Sequence, residues 1–226
     1  MIRFSVLKYY FYSVISLFKN FNFWLFPFLL IKKPLLIKVK NSGNYYVSNF
    51  MDIWTLKETL IDQQYEMFNK VKKGDLVIDV GAAIGDFSIS VSKRAKKVIA
   101  YECDKERLSL MEKNIKLHRA KNIVIKDKKA LSLNQILQQA EQVDFLKVDC
   151  EGCEYQIFKN ASKKTLNKIQ YLAMEAHLFN PQMQANFSAL TENLKKNNLQ
   201  VKIVNNQVHD YICYVFAERN KQLSGF

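Results

Sequence analysis

The sequence predicts a doubly wound α/β sheet, and three observations carry that prediction. Strand and helix patterns alternate five times between about residue 74 and residue 176. The first strand of the series, LVIDV, is a continuous apolar run, as befits a parallel strand covered on both faces. The chain then closes with two apolar runs, 200–204 and 211–217, around a turn at Asn205-Asn206-Gln207, which read as an antiparallel hairpin.

The elements follow in order. Over residues 4–25, Leu7, Phe11, Val14, Phe18, Phe21 and Leu25 recur at helical spacing, with Ser5, Lys8, Ser16, Lys19 and Asn22 on the opposite face. A bilayer span is disfavoured. Its best window places Lys19, Asn20 and Asn22 at the middle, where a lysine costs roughly 2.5–3.5 kcal/mol, and Pro27 interrupts it. The expectation is an amphipathic extension over 1–37 that lies in a membrane interface; packing on the rest of the chain is the alternative. Residues 35–39 and 44–48 read as strands around Asn41-Ser42-Gly43, and Leu56, Leu60, Met67, Phe68 and Val71 as a helix. These open a domain over 38–220, whose core runs from 74 to 220. In that core, strands at 98–102, 122–127, 143–149 and 170–176 alternate with helices at 86–95, 105–118 and 152–169. Ser132 with Gln135 forms a capping box, and Asn180-Pro181 an N-cap with proline behind it.

The net charge is +13, and seven basic residues precede the first acidic one, Asp52. A basic, aromatic, acid-free start suits an anionic membrane surface more than a nucleic acid. Four cysteines make no disulfide framework, so reduced thiols and a cytoplasmic chain are expected, with peripheral membrane contact through the N-terminus.

The sequence DVGAAIGDFS (79–88) lies where the first core strand turns into its helix. Gly81 permits the turn, Ala82 and Ala83 leave the backbone open to a ligand, and Gly85 lets the helix approach the strand. Glu102 ends the next strand, placed to accept the ribose hydroxyls of an adenosine. Asp127, at the end of the third strand, is a candidate adenine contact. The glycine spacing is not that of a dinucleotide site, and Asp86 at the helix start would repel a phosphate. No G-K-[ST] of a P-loop occurs. S-adenosylmethionine fits instead, because it has no phosphate and its methionine end is cationic; Asp79 is placed to meet the ammonium.

Residues 79–88, Glu102 and above all DFLKVDCEGCE (144–154) resemble the FkbM-type family of S-adenosylmethionine-dependent methyltransferases. Lys147, Asp149, Glu151, Gly152 and Glu154 match that family's strand-end motif, and the resemblance covers about residues 38–217. It implies a Rossmann-like seven-stranded sheet and O-methylation of a hydroxyl, with a small-molecule or saccharide acceptor, such as a glycan or lipid-linked saccharide, and no nucleic acid. An RNA methyltransferase or an inactive scaffold of the same fold is the alternative.

The catalytic candidates sit at the carboxyl edge of the predicted sheet. Asp149 ends the fourth strand, with Lys147 on the same face to hold it ionised or bond the acceptor. Glu151 follows in the loop. Glu175 and His177 end the fifth strand, and His177 is the expected general base near neutral pH. Asp149, Glu151, Glu175 and His177 could alternatively hold Mg²⁺ or Mn²⁺, although no ligand spacing is recognisable and no metal is expected. Cys150 and Cys153 occupy variable slots of the motif and read as small apolar filler.

Overall fold

The computed structural model describes residues 4–31 and 33–220. Among the described residues, nine strands form two sheets. A two-stranded antiparallel hairpin, β1 (Leu35–Val39) and β2 (Gly43–Val47), stands apart from a seven-stranded sheet. The large sheet contains β3 (Leu76–Val80), β4 (Lys97–Glu102), β5 (Ile123–Asp127), β6 (Phe145–Val148), β7 (Tyr171–His177), β8 (Leu199–Asn205) and β9 (Ile212–Arg219) in the order β5-β4-β3-β6-β7-β9-β8. The four pairings from β5 to β7 are parallel, and β9 runs antiparallel to both β7 and β8. This is the predicted Rossmann-like methyltransferase sheet with its terminal hairpin. The strand order reverses direction between β3 and β6, and the crevice at that switch point is where such sheets bind ligands.

Both faces of the sheet are covered. One packs Ile78, Val80, Leu146, Val148 and Met174 against α5 (Leu133–Ile136), α6 (Glu154–Phe158), α7 (Lys163–Leu166) and α8 (Pro181–Lys196). The other packs Val77, Val98, Phe145, Ala173 and Phe216 against Phe87 and Val91 of α3 (Asp86–Ser92) and against Tyr65. The helix α4 (Lys105–His118) places Met111 against Ala82 and Ala100.

The expected helix over 152–169 is two short helices. Lys159-Asn160-Ala161-Ser162 separates them, and Ser162 caps α7 by accepting a hydrogen bond from the Thr165 amide; asparagine and serine satisfy the backbone locally and so favour a break. The helix expected near residues 56–71 starts earlier, as α2 (Phe50–Leu56), because Asn49 and Asp52 form a reciprocal capping box. It runs into a wide turn at Lys57–Ile61 and a 3-10 turn at Gln64–Glu66.

The first helix, α1 (Phe4–Asn20), stops short of the predicted residue 25. Phe21 pairs with Val39 across a bridge, and the Asn22 side chain accepts the Lys38 amide at 2.8 Å. A 3-10 helix, Phe23–Leu30, follows. Phe21 and Leu29 share a buried cluster with Ile37, Val39, Tyr45 and Val47, so the segment after α1 packs on the hairpin. No helix among the described residues is long and apolar enough to cross a membrane.

Candidate active site

The turn after β3 leaves its backbone bare by construction. Gly81 has φ +75°, and a Cβ there would lie 1.6 Å from the Asp149 carbonyl oxygen, so β6 can approach only a glycine. The amides of Gly81 and Ala82 both donate to the Tyr101 carbonyl at 3.0 Å, tying the turn to β4. Gly85, at φ +84°, faces Met111 of α4 closely enough that a Cβ would fall 2.9 Å from its side chain. Ala83 also adopts a left-handed conformation, at φ +47°.

Beside this turn opens a cavity of about 880 Å³, lined by Gly81, Ala83, Tyr101, Glu102, Asp149, Glu151 and Gly152 with Lys128 and Lys129 at its rim. That volume lies in the range of small-molecule and cofactor sites. The Glu102 carboxylate accepts from the amides of Ala83 at 2.9 Å, Cys103 at 2.7 Å and Asp104 at 2.8 Å. These bonds fix the carboxylate at the cavity wall. A carboxylate has about four acceptor positions, so capacity for a ribose hydroxyl remains.

Two cofactor candidates lie elsewhere. Asp79 is fully buried below the turn, where it accepts from Ser88 Oγ at 2.7 Å and lies 3.2 Å from Lys147 Nζ. It cannot meet a ligand ammonium directly, because β3 places its side chain on the covered face. Asp127 forms an ion pair with the exposed Lys105 and is not part of the cavity wall. Sequence spacing put Asp127 at a strand end but could not tell which way its carboxylate turns.

Lys147 is a structural cation. It is 4% exposed, donates to the Gly81 carbonyl at 2.8 Å and stacks 5.0 Å from the Tyr65 ring centre. Burial alone would lower its pKa, but the carboxylates of Asp79, Asp149 and Asp86 more than offset this and hold the ammonium protonated. Asp86 itself is buried at the start of α3, and burial raises its carboxyl to about pKa 6.

Asp149 reaches the cavity, accepting a 2.6 Å hydrogen bond from Tyr65. Burial and the neighbouring Asp149 charge push the Tyr65 hydroxyl well above its ordinary pKa, so it remains a donor. The next residues curl back, with Glu151 at φ +55° and Gly152 at φ +98°. That curl brings the Cα atoms of Cys150 and Cys153 to 5.4 Å, and the two form a disulfide. The reading of this pair as reduced filler is thereby corrected. Position in the motif says nothing of how tightly the loop closes.

His177 is 1% exposed and is absent from the cavity wall. Its Nδ1 lies 3.0 Å from Glu154 Oε1, an atom that also accepts from the amides of Cys150 and Gly152. Its Nε2 lies 3.4 Å from Glu151 and 3.5 Å from Glu175. Burial would lower the imidazole pKa, but bonding to Glu154 and the surrounding carboxylates push it up to about 9. That shift favours an imidazolium at neutral pH, which has no free lone pair to accept a proton, and with the burial of the ring it argues against the expected general-base role of His177. Glu154 is the buried anchor of this cluster.

Asp149, Glu151 and His177 offer ligand atoms within 4.8 Å of one another. Glu175 is raised to about 8, first by burial and then by repulsion from Asp149. Glu58 is raised to about 7, chiefly by burial; it accepts from Trp54 Nε1 at 2.8 Å, and Tyr9 of α1 lies 3.5 Å away. Glu58 and Tyr65 were missed in the sequence. Both lie in the wide-turn and 3-10 segment between α2 and β3, where no periodic pattern marks a site.

A bare glycine turn, a carboxylate at the end of the next strand and no phosphate-binding loop fit S-adenosylmethionine. Comparison with known proteins decides the family. Residues 40–172 match the model of the TRM5/TYW2 methyltransferase domain. The chain belongs to that family. It is an S-adenosylmethionine-dependent methyltransferase. The matched span contains the whole cofactor turn and the D-x-E-G-x-E loop, and it overturns the resemblance to the FkbM-type family. That resemblance rested above all on residues 144–154, where the structure bonds Glu154 to His177 in a buried cluster and leaves Glu151 largely in solvent.

Among relatives, the chain is 32% identical over 65 residues to the tRNA (guanine(37)-N(1))-methyltransferase Trm5b of Pyrococcus abyssi, covering 29% of this chain and 20% of that protein. It thus spans far less than two thirds of that relative's length. The fold is similar to the M. jannaschii tRNA m1G37 methyltransferase, with TM-score 0.54 and 20% identity over 84% of this chain and 58% of the other. It is also similar to a methyltransferase from Streptococcus mutans solved with S-adenosylhomocysteine, with TM-score 0.54 and 16% identity over 70% of this chain and 94% of the other. These relatives correct two further expectations, that the acceptor is a glycan hydroxyl and that no nucleic acid is involved. Lysines 128 and 129 at the cavity rim lie outside the basic N-terminus that had been weighed alone.

Proposed function

We propose that this chain methylates a ring nitrogen of a nucleobase in RNA, with guanine N1 of tRNA as the acceptor. The observation that carries the reading is the family match over residues 40–172, together with the tRNA guanine methyltransferases among the relatives. The net charge of +13 and the exposed Lys128 and Lys129 at the cavity rim suit a phosphate backbone.

The bound cofactor supplies an electrophilic methyl group on a sulfonium. The chain's own residues supply the rest. The turn at Gly81–Gly85 and Glu102 hold the adenosine end. Asp149, fixed by Tyr65, faces the acceptor and accepts the proton that guanine N1 must lose as its lone pair attacks. Glu175 sits behind it with a pKa near 8 and favours a proton close by at neutral pH. His177 ties Glu151, Glu154 and Glu175 together, and its positive charge offsets the repulsion between Glu151 and Glu154.

Transfer of a labelled methyl group from S-adenosylmethionine to unmodified tRNA tests the reading. Label should enter tRNA, and Asp149→Asn should lower turnover about 10²-fold or more while cofactor affinity stays within a few-fold. An Asp149→Asn enzyme as fast as the wild type would remove Asp149 from the reaction.

A further inference from the structure

The helix α1 turns Tyr9, Ser13 and Leu17 inward: Ser13 is 2% exposed, Tyr9 reaches Glu58, Lys57 lies 4.9 Å from the Tyr9 ring centre, and Leu17 packs against the hairpin cluster. Its apolar stripe faces out. Phe4, Leu7, Phe11, Val14 and Phe18 follow one another at helical spacing, and Phe11 is 65% and Phe18 54% exposed. The surface continues into the 3-10 helix, where Trp24 is 63% exposed and Phe28, Leu30 and Ile31 are also exposed. A contiguous apolar surface of this kind marks an interaction site.

We propose that this face docks on an anionic lipid surface, with α1 lying in the headgroup plane. Charge complementarity selects the occupant. Lys8, Lys19, Lys33, Lys38 and Lys40 are exposed in this region, and no acidic residue precedes Asp52. Anionic headgroups would meet those ammonium groups while the phenyl stripe enters the acyl boundary; tyrosine and tryptophan at the edges suit the wet interface. A second copy of the chain would bring the same unneutralised lysines face to face. A nucleic acid would leave the aliphatic part of the stripe, Leu7, Val14 and Leu30, in water. The proposal stands independently of the RNA reading.

Flotation of the full chain with phosphatidylcholine vesicles, with and without phosphatidylglycerol, tests it. The wild type should float with anionic vesicles and much less with neutral ones. Phe11→Glu combined with Phe18→Glu should cut the bound fraction about tenfold or more, with thermal melting and cofactor affinity unchanged, since both side chains are already exposed. Wild type that stays in the aqueous layer, or a variant that floats equally well, overturns the proposal. So does a variant that keeps vesicle binding and loses tRNA binding, or one that turns a dimer into a monomer with no vesicle binding in either form. Should the double variant fail to fold, Trp24 emission in a Trp54→Phe protein decides: a blue shift on anionic vesicles supports docking, and no shift refutes it.

Discussion

Glu154→Gln is the sharpest probe of the buried cluster. Glu154 is completely buried, and its Oε1 accepts from His177 Nδ1 at 3.0 Å. The surroundings raise His177 from 6.5 to about 9, a difference worth roughly 3 kcal/mol of folding free energy. The sign follows from proton uptake. The native state holds the His177 proton more tightly than the unfolded chain does. That stabilisation is therefore fully present below pH 6.5 and is lost as pH rises through about 9. Glu175, raised from 4.5 to about 8, acts in the same direction: its native charged form is penalised, and the penalty grows between those values. Wild-type stability should thus fall continuously from about pH 5 to pH 9. Removing the Glu154 charge should lower the His177 pKa towards its ordinary value, cost about 2–3 kcal/mol at pH 6, and flatten the part of the decline between pH 6.5 and 9. Urea unfolding across that range gives the stabilities. Three histidines make the His177 titration separable by NMR. A Glu154→Gln protein with the same decline, or a wild-type His177 that titrates near 6.5, would refute the reasoning.

Three further substitutions probe the cofactor turn and its support. Gly81→Ala should abolish cofactor binding and lower the melting temperature, since its Cβ has no room beside the Asp149 carbonyl; calorimetry showing ordinary affinity would contradict the geometry. Glu102→Ala should weaken S-adenosylmethionine binding by roughly 1–3 kcal/mol, through lost ribose bonds and a turn freed from the Ala83 amide. Lys147→Met should destabilise the fold by roughly 3–5 kcal/mol because it leaves Asp79 buried without its cation, and adding Asp79→Asn should recover much of that loss in the double variant.

The sheet was legible because parallel, doubly covered strands tend to be apolar runs, as LVIDV shows, and because such strands alternate with helical patterns. The hairpin at the end was legible from its turn. The cofactor turn was legible because glycine is needed where β6 approaches Gly81. What sequence patterns could not supply was the direction of side chains at strand ends. His177 ends its strand at the correct edge, yet packing turns it into a buried cluster, away from the cavity. Asp127 likewise ends its strand at that edge and turns to Lys105. Tyr65 and Glu58 were invisible because their backbone follows a wide turn and a short 3-10 segment, neither of which leaves a period to read. The acceptor class was misread because a short carboxylate motif was weighed above the rest of the domain.

The most direct test of the account is the identity of the methylated product. Unmodified tRNA is incubated with the protein and S-adenosylmethionine, digested to nucleosides and analysed by mass spectrometry against standards. The account predicts 1-methylguanosine as the new nucleoside, formed in proportion to enzyme and absent with Gly81→Ala. A reaction that leaves the tRNA unmethylated, or that yields only a 2′-O-methylated nucleoside, would contradict methyl transfer to a ring nitrogen.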